Sequence, residues 1–520
     1  MNSNIFGINF EDKPEESTKI LDNNYLTIKE VEKNEIISNP SLPINYIIEG
    51  DNYYSLNLLK FTHKRGFDLI YIDPPYNRPG QKFKYNNEFI DSEDPWLHSS
   101  WLSFMNHRLK IAKELLKDDG VFICAIDEKE QEALGLLLQK VFPEHKIEII
   151  VNQHSSRGKQ GKGISFCHEY HYILYPNDNK RYIFPQEISN EDREYGHLRQ
   201  WGSESMRDDP NVPGRSMFYP IYIKNNKIIK AGDPLPEGAK EPKPNEQVED
   251  GMIKVWPIDK ENVPRKWAIG RKSVEERNNK GLLIVVKNSK TKLFEIKHTR
   301  ETAPVKSMWY DKRFDANSFG SRLLTKILGK EMKGMFPKSI YTLEECLKIT
   351  IKHKKNAKVL DFFAGSGTTG HAVLNLNKLD NGIRSFVMCT NNEDKIAEEV
   401  CYPRTKNVIK GYKFKGTIKQ ELFTKDLDYK DFENNEKLLK EINNLIKSNE
   451  KKYDKIKKVI ENGCLRIIGE KKVEKKTDPI QANLKYFKID EDNLVSKTNN
   501  DLKNIFKRIK EIILFKNETY

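Results

Sequence analysis

The sequence predicts an α/β fold in which a mostly parallel sheet is crossed by helices. Three features predict it. Residues 45–176 alternate short apolar runs with amphipathic ones, residues 336–410 resume that alternation, and in each stretch one apolar strand stops at a motif unsuited to a β-ladder. These motifs are Asp73-Pro74-Pro75-Tyr76 and the glycine turn Asp361-Phe362-Phe363-Ala364-Gly365-Ser366-Gly367-Thr368-Thr369.

Residues 1–44 carry little periodicity and are expected to form an irregular arm. Residues 46–48 then read as a strand, Gly50-Asp51-Asn52 as a turn able to cap a helix, and 53–59 as that short helix. The next strand, 67–72, must end at Pro74-Pro75, because two successive backbone donors are missing there. An amphipathic helix over 101–116, a turn at Asp118-Asp119-Gly120, a buried strand at 121–126, a helix at 128–139 and a strand at 146–152 continue the alternation. RGKQGKG at 157–163 breaks it with three cations and three glycines; it suits a phosphate or substrate contact, or simple exposure. The next run, SFCHEYHYILY, alternates as a strand does. Cys167, His168 and His171 within it resemble a metal cluster but offer no fourth ligand, so no metal site is expected.

From 177 to 335 the character changes to Pro, Asn, Asp and Gly with short aromatic or β-branched runs, which predicts a separate β-rich module. Residues 232–251 form a surface loop or hinge. Trp256, Arg265, Lys266, Trp267, Arg271 and Lys272 interleave aromatics with cations, a pattern that suits nucleic-acid contact and equally suits core tryptophans among surface basics. Residues 336–410 return to the sheet: a strand at 359–363, the glycine turn, a helix from 369, and a strand at 384–389 with Glu393 just beyond. The last stretch, 411–520, holds 26 Lys or Arg against 19 Asp or Glu, more than half of the chain's net charge of +13, and predicts a small basic C-terminal domain for assembly or DNA contact.

The 520 residues suit two to four domains, and 37% apolar with 32% charged residues suits a soluble globular protein. Cysteines at 124, 167, 346, 389, 401 and 464 form no close pair, which fits a reducing cytoplasm. The opening residues lack a secretory pattern and no stretch of 18 apolar residues occurs, so neither export nor a membrane span is expected.

The two motifs define a chemistry. Gly365 and Gly367 let the backbone approach a ligand closely at the start of a helix. The turn lacks a P-loop lysine and the dinucleotide glycine spacing. Asp361 would repel a diphosphate and attract an α-ammonium group, which favours S-adenosyl-L-methionine. In the other motif, the Asp73 carboxylate and the Pro74 carbonyl, held by rigid Pro74-Pro75, suit the two N–H bonds of an aromatic amine, and Tyr76 offers a face to a base pulled from its stack. Asp-Pro-Pro-Tyr also occurs as a plain surface turn.

With both motifs in place the sequence resembles the β-group adenine-specific DNA methyltransferases of bacterial restriction-modification systems, in particular type III modification subunits. The likeness rests on IEGDNYYSL, DLIYIDPPYN, KVLDFFAGSGTTGHAV and FVMCTNNEDKIAEEVCYPR, and covers residues 45 to 415. It implies a seven-stranded, mostly parallel Rossmann-like methyltransferase sheet with permuted motif order and a target-recognition domain inserted at 177–335. It makes Asp73, Pro74, Pro75 and Tyr76 catalytic. It gives Asp361, Phe362, Phe363, Ala364, Gly365, Gly367 and Thr368 to the donor's amino-acid end, Glu393 to its ribose and Asp51 to its adenine. Lys338 in MFPKS resembles a Pro-Lys-Pro segment near the donor, with Ser339 in place of the second proline. The resemblance also implies double-stranded DNA as substrate, a homodimer and an ATP-dependent restriction subunit as partner. Methylation of cytosine N4 and a non-catalytic specificity subunit are the alternative readings; in this family an aspartate at the catalytic position favours adenine, where cytosine enzymes more often carry serine.

Overall fold

The computed structural model describes residues 8–13, 15–77, 84–85, 88–89, 97–155, 158, 163–188, 190–191, 193–208, 214–461 and 463–496. The RGKQGKG segment, apart from Gly158 and Gly163, lies outside the described residues. The chain divides into two compact units, one formed by residues 1–184 with 306–520 and one by residues 185–305.

The larger unit is built on a ten-stranded sheet. In chain order its strands are β1 (Asn24–Glu30), β2 (Ile44–Glu49), β3 (Phe67–Ile72), β4 (Leu116–Ile126), β5 (His145–Asn152), β6 (Glu169–Pro176), β7 (Met308–Trp309), β8 (Lys358–Asp361), β9 (Ser385–Thr390) and β10 (Asn483–Ser496). Their order across the sheet is β1-β10-β2-β9-β8-β3-β4-β6-β5-β7. The run from β10 through β4 is parallel throughout, whereas β1 and β6 run against their neighbours. At the centre, Leu360 of β8 lies between Ile70 of β3 and Val387 of β9. Parallel strands are covered on both faces, and accordingly all six residues of β3 are buried.

One face carries α2 (Asn52–Thr62), α3 (Leu97–Leu115) and α4 (Gln131–Val141), whose Leu56, Trp101, Met105, Leu109 and Leu138 join a core with Ile70, Ile72, Leu360 and Cys389. Further on come α5 (Ile340–Ile351), α6 (Thr368–Asp380) and α7 (Tyr402–Lys410). A side chain at Gly370 of α6 would meet Met388 and Phe386 of β9, so α6 lies on the face those residues share.

Several expectations are corrected. The sheet has ten strands where seven were expected, because each end of the chain contributes one, β1 and β10, and Met308–Trp309 adds a third at the opposite edge. The supposed irregular arm contains α1 (Glu16–Asn23) and β1, where alternate Leu26 and Ile28 are buried. The supposed C-terminal domain is divided. Residues 413–426, 455–461 and 464–476 form a three-stranded antiparallel sheet with helix Asn435–Asn449 around Ile442, Leu465 and Ile467, while β10 inserts beside β2 and buries Leu484, Tyr486, Phe487 and Ile489. The turn at Asp118-Asp119-Gly120 is a register shift inside β4, which lets Phe67 face Leu116 and Leu69 face Val121.

The 185–305 unit has its own core. A four-stranded sheet (Ile221–Lys224, Lys227–Ala231, Asn245–Gln247, Ile253–Val255) and a three-stranded one (Gly196–His197, Leu283–Lys287, Phe294–His298) enclose Tyr219, Ile221, Val255, Trp267 and Ile296. Trp256 and Trp267 are buried, and Trp267 donates to the Tyr219 carbonyl at 2.8 Å. They are core tryptophans, which removes them as stacking platforms.

Candidate active site

Four sequence-predicted acids follow four adjacent parallel strands at one sheet edge. Asp51 follows β2, Glu393 follows β9, Asp361 ends β8 and Asp73 follows β3. Loops at the C-terminal ends of parallel strands meet in this way whatever their order in the chain.

Beyond β3 the loop is pinned from two sides. Trp101 Nε1 donates to the Pro75 carbonyl at 2.8 Å, and Asn77, at φ +56°, donates to Glu130 Oε1 at 2.6 Å. Between these anchors the Tyr76 hydroxyl donates to Asp73 Oδ1 at 2.5 Å. Lys338 reaches the same place from the segment before α5. Its ammonium lies 3.1 Å from Asp73 Oδ1 and 2.5 Å from Glu169 Oε2, and also contacts the Tyr76 hydroxyl. Ser339, which stands where a second proline was expected, caps α5 and donates to the Arg313 carbonyl at 2.7 Å.

The glycine turn is shaped by Gly365 and Gly367, at φ +48° and +75°, in the left-handed region. A Cβ on Gly367 would also press on Cys401, 3.1 Å from its sulfur. Asp361 accepts from the Phe363 amide at 3.0 Å and from the Thr369 hydroxyl at 2.5 Å. Asn52, beside Asp51, donates to the Phe362 carbonyl at 2.8 Å and so ties the end of β2 to this turn.

Asp73, Lys338, Asp361, Phe363, Ala364, Gly365 and Thr368 line one cavity of about 140 Å³. The remaining expected residues do not line it. Pro74 is buried, Pro75 is bound to Trp101, Phe362 is in the core, and Gly367 opens α6. Tyr76 reaches the cavity through its contacts to Asp73 and Lys338. The Asp51 carboxylate is engaged in capping α2 and with Arg108 at 3.3 Å, and Glu393 is exposed on the turn after β9. The sequence reading missed Tyr71, Leu343, Ser366, Thr369 and the 83%-exposed Phe336, all of which line the cavity, and Glu169 behind it. Ser366 and Thr369 stood inside the motif; Glu169 was hidden in a run read for its histidines. His171 of that run packs beside Tyr71 and Trp309.

The electrostatics are those of crowded carboxylates. Burial raises Asp73 above the ordinary carboxylate range, with Lys338 opposing and Glu169 adding to the effect. Burial likewise pushes Asp361 up to about 7, against the pull of Thr369 and the Phe363 amide. For Glu169 burial is outweighed by Lys338, His171 and His154, which together hold it at about 2. Lys338 is thus shared between Asp73 and Glu169, while Asp361 lines the same cavity, so carboxyl groups outnumber ammoniums there, an arrangement that favours a cationic ligand.

Known proteins similar to this chain are DNA methylases and modification enzymes. A family model for N6 and N4 enzymes, described as DNA methylase, matches residues 67–399. The type II methyltransferase M.KpnI of Klebsiella pneumoniae is 31% identical over 374 residues, 68% of this chain and 82% of that enzyme. The EcoPI Mod subunit of a type III restriction-modification enzyme from Escherichia phage P1 is 29% identical over 389 residues, 67% of this chain and 58% of that subunit. A solved putative DNA modification methylase from Thermus thermophilus, complexed with S-adenosyl-L-methionine, matches 70% of this chain and 93% of its own at 10% identity and a TM-score of 0.32. The chain belongs to the N6/N4 DNA methylase family. It spans little more than half of the type III subunit it matches. Among the described residues no helix is long and apolar enough to cross a membrane.

Proposed function

We propose that this chain transfers a methyl group from S-adenosyl-L-methionine to the N6 amine of an adenine flipped out of duplex DNA. The observation that carries this reading is that Asp73 and Asp361, at the ends of adjacent parallel strands, line one cavity with Lys338. The cavity fits the donor: its excess of carboxyl groups suits a sulfonium and an α-ammonium, and the left-handed turn at Gly365 brings the backbone close to a ligand. When bound, the donor supplies an activated methyl group, so no metal is required.

The chain's own residues do the rest. Asp361 takes the α-ammonium, while Glu393 and Asp51, on the loops after β9 and β2, take the ribose and adenine of the donor. Asp73 and the Pro74 carbonyl each accept one N–H bond of the target amine. These bonds tighten as positive charge grows on the nitrogen, so they favour the transition state over the ground state, and the surplus amine proton then leaves along the bond to Asp73 and on to solvent. Tyr76 leaves Asp73 to stack on the flipped base, an interaction worth about 1–3 kcal/mol. Lys338 pairs with Asp73 and opposes the rise that burial imposes on its carboxyl. Aspartate rather than serine at position 73 supports adenine over cytosine N4.

The larger arrangement accords with the same reading. The catalytic strand precedes the donor strand in the chain, which is the permuted order, and the 185–305 unit lies between them in sequence as a target-recognition domain. The similarity to the EcoPI Mod subunit supports a modification subunit of a type III system; its action on double-stranded DNA as a homodimer beside an ATP-dependent restriction subunit belongs to the same proposal. Calorimetry on Asp73→Ala tests the division of labour: turnover should be nearly abolished with donor affinity kept within a few-fold. Donor affinity lost together with turnover would place Asp73 in the donor site instead.

A further inference from the structure

Three arginines are among the largest fully buried side chains, and two have carboxylate partners. Arg108 lies 2.6 Å from Glu15, and Arg384 lies 2.9 Å from Asp380. Arg404 of α7 is different. Its guanidinium is completely buried beneath the glycine turn, and among the described residues its hydrogen-bond partners are neutral: the Ser366 carbonyl at 3.4 Å, Ser366 Oγ at 3.1 Å, Thr368 Oγ1 at 2.7 Å and His371 Nδ1 at 3.5 Å. Its Nε is buried with no acceptor. Cys401 and Tyr412, also close by, have their ionisation raised by burial and are neutral, and burial together with Arg404 keeps His371 neutral. A buried charge without a counter-charge is strongly disfavoured unless something compensates it.

The hydroxyl geometry shows where a compensating anion belongs. Ser366 and Thr368 both accept from Arg404 Nη1, and their oxygens lie 3.1 Å apart, sharing one hydrogen. The second hydroxyl hydrogen is left for an acceptor elsewhere. Both residues line the cavity beside Gly365, where α6 begins and its first amides face outward. A cation behind two hydroxyls at a helix start polarises them toward an anion on the other side.

We propose that Arg404 is a positioning residue for the α-carboxylate of the methyl donor, acting through Ser366 and Thr368 without touching it. This rests on the donor reading above. It divides the donor's amino-acid end between two charges, with Asp361 on the ammonium and Arg404 on the carboxylate. Binding of the carboxylate supplies the anion that the buried guanidinium lacks.

The test compares two ligands by calorimetry: S-adenosyl-L-methionine and its decarboxylated analogue, which keeps the sulfonium and the ammonium. The intact chain should bind the carboxylated ligand about tenfold or more tightly. Arg404→Met should bring the ratio to within about twofold, and Arg404→Lys, which keeps the charge, should retain part of it. Should Arg404→Met fail to fold, Thr368→Val, which removes one relay hydroxyl at constant volume, should lower the ratio in its place. Equal weakening of both ligands, with the ratio unchanged, would mean that Arg404 only supports the turn and overturns the proposal. Equal affinity of the intact chain for both ligands overturns it as well and leaves the donor reading standing. Binding of neither would remove the donor reading, and this proposal with it.

Discussion

The Lys338 ammonium lies 3.1 Å from Asp73 Oδ1 and joins the segment before α5 to the end of β3. It also holds Glu169, so its removal strands one buried carboxylate, Glu169, and leaves the half-buried Asp73 without its cation. Lys338→Met should therefore destabilise the chain by about 3–5 kcal/mol, the usual cost of breaking a buried pair from one side. Glu169→Gln added to it removes one stranded charge and should recover part of the urea midpoint without restoring turnover. A double variant no more stable than the single one would show that Glu169 is not the group Lys338 compensates.

Asp361 gives a pH dependence whose sign is fixed. Its carboxyl titrates at about 7 in the free protein, and only the ionised form pairs with an α-ammonium. Donor affinity should fall as pH drops below 7, by up to about tenfold per unit, and level off above it until the donor's own amine, near 8, begins to lose its proton. Titration calorimetry between pH 5.5 and 8.5 reads this directly. Asp361→Asn should weaken binding and flatten the slope; an affinity independent of pH in the intact chain would separate Asp361 from the ammonium.

The inserted unit has its own sheets and core. Exchange of residues 185–305 with the matching segment of a relative should change the methylated sequence and leave the modified base unchanged. Long-read mapping of methylated positions in cells checks this. An unchanged target would place recognition in the larger unit.

The range of each interaction decides whether it was legible in the sequence. The end of β3 was legible because two prolines terminate a strand by themselves, and the turn at Gly365 and Gly367 because a left-handed backbone shows in the residue type. The pairing of β1 with β10 was not, since β1 has only seven residues, β10 mixes charged with apolar ones, and each acquires its meaning from a partner at the other end of the chain. Glu169 and Arg404 were missed for the same reason. Their roles depend on Lys338 and on Ser366, which only the sheet brings near. Trp256 and Trp267 illustrate the reverse case: their neighbours in sequence suggested a nucleic-acid surface, and their burial among Phe218, Tyr219 and Ile258 assigns them to the core.

The position of β10 changes what a truncation means. A chain ending at Lys410 loses Leu484, Tyr486, Phe487 and Ile489 from the sheet, each contributing about 1.5–3 kcal/mol by burial, against a usual net stability of about 5–15 kcal/mol. Such a chain should melt early or fail to fold. Deletion of residues 413–476 with a short linker retains β10 and is the variant for asking whether the small basic module serves assembly or DNA contact. Light scattering and salt-dependent DNA binding separate the two: lost dimer mass supports assembly, and weaker, less salt-sensitive binding supports phosphate contact.

The most direct test is mass analysis of the nucleosides from duplex DNA treated with the purified chain and S-adenosyl-L-methionine. N6-methyladenine should form without added metal, and almost none should form with Asp73→Ala. N4-methylcytosine as the sole product, or the same yield of N6-methyladenine from Asp73→Ala, would contradict this.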